Sequence, residues 1–68
     1  MNKRKLVAVM YEHGDTQKSL AKNIGVSIQG FNKKINERDG SEFTRGEIAK
    51  IKYIYNLTPA EIDAIFFT

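Results

Sequence analysis

Apolar residues recur at intervals of three and four along most of the chain, the spacing of helix faces packed on a shared core. Leu6, Val7, Met10 and Tyr11 form one such stripe and predict a helix over Asn2–Glu12, closed by Gly14. Asp15 or Thr16 is placed to cap the next helix, whose buried face is Leu20, Ala21 and Ile24. Gly25 follows where that helix must end in a left-handed residue. Ser27 caps a third helix, from Ile28 to about Asn36, with Phe31 and Ile35 one turn apart on its inner side. The polar run Asn36–Glu42, with Asp39-Gly40 inside it, reads as a loop. Thr44 and Glu47 fit a capping box at the head of a helix carrying Ile48, Ile51, Ile54 and Tyr55, and Asn56-Leu57 breaks it. Thr58 and Glu61 make a second capping box, with Pro59 at the first helical position, ahead of Ile62, Ile65 and Phe66. The expectation is an all-α, compact five-helix domain over residues 1–68, without strand, repeat or linker.

Residues 16–36 carry the clearest functional pattern. Two short helices meet at a sharp turn at Gly25, and Ala21 is small where they must cross closely. This is a helix-turn-helix layout, whose second helix is free to enter a DNA major groove. Thr16–Ile35 holds four lysines and no Asp or Glu, a local excess of positive charge in a chain whose net charge is only +3. A length of 68 residues allows one small domain, and 41% hydrophobic residues suffice for a core. With no cysteine, disulfides and thiolate metal sites are excluded; the lone His13 makes no zinc site and reads as an exposed helix-end residue. No pair of carboxylates stands out as an acid–base constellation, and there is no glycine-rich phosphate loop. Neither an enzyme nor a cofactor nor a small-molecule ligand is therefore expected. No apolar run approaches the roughly 20 residues of a membrane span. The one after Lys3-Arg4-Lys5 is short and runs into Tyr11-Glu12-His13 in place of a small-residue cleavage site, so a cytoplasmic protein is expected.

The pattern Thr16-Gln17-x-x-Leu20-Ala21-x-x-Ile24-Gly25-Val26-Ser27, followed by Gln29 and the apolar Phe31, resembles the Cro and lysogeny-repressor family of phage DNA-binding domains. The motif covers about a third of the chain, and the helices on either side extend the likeness to nearly all of it. Gly30 inside the second helix and Ile35 as its second inward residue depart from the family pattern. The resemblance implies a compact helical domain that reads a double-stranded DNA operator, usually as a dimer. It also implies that Gln17, at the start of its helix, donates to a phosphate, and that Arg38 and Arg45, flanking the loop after the recognition helix, meet the DNA backbone. With no ligand domain expected after the last helix, the expectation is a Cro-like regulator more than a full lysogeny repressor.

Gln29 is the leading base reader, because a carboxamide both donates and accepts and so matches adenine N6 and N7. Ser27 caps its helix and is also within reach of a phosphate. Ile28 either meets a thymine methyl or packs at the domain edge. Asn32 and Lys33 lie one turn on; Lys33 is assigned to guanine or, with less demand on geometry, to phosphate. Lys22 is assigned to phosphate, and Lys34 is read as backbone-facing or solvated. Gly30 either admits close approach to DNA or serves local packing. Ile62, Ile65, Phe66 and Phe67 form an apolar C-terminal patch, taken as a homodimer interface, with Phe67 off the stripe of the other three. Two rival readings remain: a protein-interaction module on the same fold that binds another regulator, and a non-specific nucleic-acid binder.

Overall fold

Each helix of the chain begins on a side chain that closes its first turn. Asn2, Thr16, Ser27, Thr44 and Thr58 each accept a hydrogen bond from the backbone N–H three residues on. This satisfies donors that a helix start otherwise leaves open. The computed structural model describes residues 1–68 and contains α1 (Lys3–Glu12), α2 (Gln17–Ile24), α3 (Ile28–Ile35), a 3₁₀ turn at Arg38–Gly40, α4 (Arg45–Tyr55) and α5 (Pro59–Phe66). Glu47 and Glu61 return their carboxylates to the cap backbone, completing both expected capping boxes. Thr16, not Asp15, caps α2, and Ser19 supplies the reciprocal bond. Gly25 ends α2 at φ 79°, and Asn56 ends α4 in the same left-handed region.

The core is built from all five helices and two connecting residues. Leu6, Leu20, Ile24, Phe31, Ile35 and Ile51 are its largest fully buried members. Phe31 meets Phe43 edge-on at 5.4 Å, and Phe43 meets Phe66 at 5.9 Å. α2 packs on α3 and α4, and α1 lies along α5. The extents are 27 × 24 × 21 Å. No helix is long and apolar enough to cross a membrane.

Burial departs from the apolar stripes of the sequence at several positions. Val7 and Tyr11 are exposed, Tyr11 at 84%, so α1 buries only the i, i+4 seam of Leu6 and Met10. A helix on the edge of so small a bundle touches the core along a narrow line, not a broad face. Ile54 is at the surface for the same reason. Phe43 and Leu57, left outside any helical stripe, are core residues held by the connections themselves. Ile62 and Ile65 are buried inside the chain, at 8% and 2% exposure, and cannot form part of a surface for a second copy. Phe66 is half-buried against Phe43, which leaves Phe67 as the exposed aromatic of that patch.

Candidate nucleic-acid interface

Gly25, Val26 and Ser27 alone separate α2 from α3. The turn is held at both ends. Lys50 of α4 donates to the carbonyl of Ile24 at 3.3 Å, a cation placed where the end of α2 is electronegative. Ser27 Oγ accepts from Gly30 N at 3.0 Å. A methyl at Gly30 would lie 3.1 Å from that same oxygen, which gives the glycine a local packing role. Ala21 is buried in the crossing, as its size suggests.

Because Phe31 and Ile35 point into the core, the helical repeat turns Gln29 and Lys33 outward, and both are exposed. Ile28 is 40% exposed beside them. Asn32 and Asn36 occupy the half-buried flank of α3 and its last turn. Along this flank runs a chain of polar contacts. Asn32 Nδ2 donates to Gln17 Oε1 at 3.4 Å. Asn36 Nδ2 donates to the Asn32 carbonyl at 3.0 Å, and Lys3 Nζ donates to Asn36 Oδ1 at 2.6 Å. The starts of α2 and α1 are thus tied to successive turns of α3.

The basic residues divide into two groups. Lys22, Arg38 and Arg45 are exposed and form no ion pair. Lys33 comes only within 4.0 Å of Asp39, with both side chains well exposed, a pair that contributes little. Lys34, by contrast, is not a surface cation. Its ammonium donates to both carboxylate oxygens of Glu47, at 2.7 and 2.6 Å, with side-chain exposures of 21% and 13%. Burial raises the Glu47 pKa, but hydrogen bonds from Lys34 and the Thr44 N–H outweigh it and hold the group below its ordinary value.

Asp15, read only as a possible cap, organises the start of α2. Its carboxylate accepts from Ser19 Oγ at 2.6 Å and from Tyr55 Oη, 40 residues away at the end of α4. Those two hydrogen bonds lower the Asp15 pKa. Burial, then the Asp15 hydrogen bond and charge, push the Tyr55 phenol up. The His13 ring leans on Tyr55 with centroids 4.5 Å apart. The i, i+4 spacing of Asp15 and Ser19 was available as a signal; the tyrosine was not, because nothing local points from residue 15 to residue 55.

No protein-family model, curated protein or solved structure matches this chain. What the surface offers is a carboxamide and a lysine one turn apart on the outer side of an anchored eight-residue helix, with a 40% exposed isoleucine at the start of that helix. Such a face can donate and accept hydrogen bonds through the carboxamide and attract an anion through the lysine.

Proposed function

We propose that the chain binds double-stranded DNA in a sequence-dependent way, as a Cro-like regulator that occupies a near-palindromic operator as a homodimer. Regulation follows from occupancy, which blocks polymerase or a competing regulator. The observation that carries this reading is the outward placement of Gln29 and Lys33 on a helix anchored by Phe31 and Ile35 and separated from α2 by three residues. Gln29 reads adenine through its amide, and Ile28 is exposed enough to meet a thymine methyl. Gln17, Lys22, Lys33, Arg38 and the Ser27 hydroxyl take phosphates, which fix register without reading sequence. Asn32 positions Gln17.

Selection from random duplex DNA at fixed salt, followed by sequencing, tests the reading. An enriched two-fold site is expected. Gln29→Ala should then lose roughly 1–3 kcal/mol on that site and far less on a scrambled duplex. Equal loss on both duplexes would demote Gln29 to a backbone contact. Binding without enrichment would favour a non-specific binder, and no binding at all would favour a protein-interaction module.

A further inference from the structure

We infer that Lys3, in the first turn of α1, holds a DNA phosphate next to the one held by Gln17, on the same strand. The inference rests on the proposed DNA binding and extends its footprint to a helix outside the α2–α3 pair. Lys3 lies 33 residues from Asn36, yet its ammonium is 2.6 Å from the Asn36 side-chain oxygen. Asn36 is itself fixed by its bond to the Asn32 carbonyl, and Asn32 reaches Gln17. Gln17 and Lys3 therefore sit at successive turns along one flank of α3. One turn advances about 5.4 Å, a step comparable to that between neighbouring phosphates of a strand. A rail of two donors on that flank fits one strand bordering the groove that α3 enters.

The charge pattern agrees. Lys3 is exposed and pairs with no carboxylate. The first turn of α1 contains Lys3, Arg4 and Lys5 and no acid, against the preference of a helix start for negative charge. The nearby carboxylate of Glu37 is directed to the Met1 ammonium at 3.4 Å and leaves Lys3 free to exchange Asn36 for an anion. Lys5 provides an internal control. It belongs to the same basic run but lies on the other side of α1, in a groove with Glu61 and Ile65.

Salt titration of binding to the selected duplex separates the possibilities. Lys3→Ala should make the dependence of log affinity on log salt shallower by about one unit per bound subunit, and Lys3→Arg should restore it. Lys5→Ala should leave the slope as it was. In a scan of single uncharged methylphosphonates, one position should weaken the wild type but not Lys3→Ala, while its neighbour continues to depend on Gln17. Equal slopes for Lys3→Ala and wild type, or equal losses for Lys3→Ala and Lys5→Ala, would overturn the inference and leave DNA binding standing. A wild type that binds no duplex would overturn both.

Discussion

Lys33 and Lys34 are adjacent and chemically identical, but the helix turns them about 100° apart. Lys33 faces solvent, whereas Lys34 closes on Glu47 and ties α3 to α4. Lys34→Ala leaves a half-buried carboxylate without its cation and should cost about 1–2 kcal/mol in urea unfolding, with the salt slope of DNA binding unchanged. Lys33→Ala should do the reverse, leaving stability intact and reducing that slope by about one unit. If Lys34→Ala changes the slope as Lys33→Ala does, the ion pair opens on DNA. The carboxylates also set an acid limit. Asp15 and Glu47 titrate below their ordinary 3.8 and 4.5, so the native state binds protons less readily than the unfolded chain. Their contribution is complete above those values and is lost as pH falls through the lower, folded ones. Tyr55→Phe should accordingly cost about 1–2 kcal/mol at pH 7, with the gap to wild type narrowing as pH falls below 3.8 and through the lower value of folded Asp15. A gap that stays constant across that range would mean that the phenol acts by packing alone.

At the scale of the helix, caps and backbone signs decide where structure starts and stops. These were the legible features, because each involves residues within four positions of one another: Thr44 with Glu47, Thr58 with Glu61 and Pro59, Ser27 with Gly30, and Gly25 after Ile24. The alignment of Phe31 and Ile35, and hence the outward face of α3, follows from the same local repeat. The sequence pattern does not reveal which apolar positions the neighbours cover. Val7, Tyr11 and Ile54 have helical spacing but stay exposed, while Phe43 and Leu57 lack the spacing and are buried. Nor does it reveal Tyr55 at Asp15, Lys34 at Glu47 or Lys3 at Asn36, because chain distance carries no mark of contacts made in the fold. The segment after α3 holds Glu37 and Asp39 in the left-handed region, both at φ 52°. That region costs a residue with a Cβ roughly 1–2 kcal/mol. Glu37→Gly relieves this and gives up only an exposed contact with the Met1 ammonium, so a gain of about 0.5–1 kcal/mol is expected after the added freedom of the unfolded chain. Gly25→Ala should lose about 1–2 kcal/mol, from backbone alone, since the nearest atom to the new methyl would be Lys50 Nζ at 3.8 Å. Thermal or urea melts of the two variants should move in opposite directions.

The whole molecule is at most 27 Å across, and α3 has eight residues, about 12 Å of helix. On the proposed DNA, one copy would therefore line a single stretch of groove and read only a few base pairs. Successive major grooves on one face of DNA are about 34 Å apart, a separation that two copies of this size reach when they touch side by side. With Ile62 and Ile65 committed to the core, the self-contact expected at the C-terminal end narrows to Phe67. Phe67 is 66% exposed and borders a groove of about 210 Å³ lined by Met1, Phe43, Ile48 and Phe66 and also by the charged Lys34, Glu37 and Glu42. In a two-fold pair the same patch meets itself, so each Phe67 can enter the groove of the other copy. Phe67→Ser should then weaken assembly on a palindromic duplex and lower affinity there, because each half-site binds alone. Affinity for an isolated half-site should not change. The fold should survive, since Phe66 still packs on Phe43. Sedimentation of wild type and variant, with palindromic and half-site duplexes, checks the expectation. A wild type that stays monomeric on the palindrome, or a variant that loses its helices, would rule out a dimer built on Phe67.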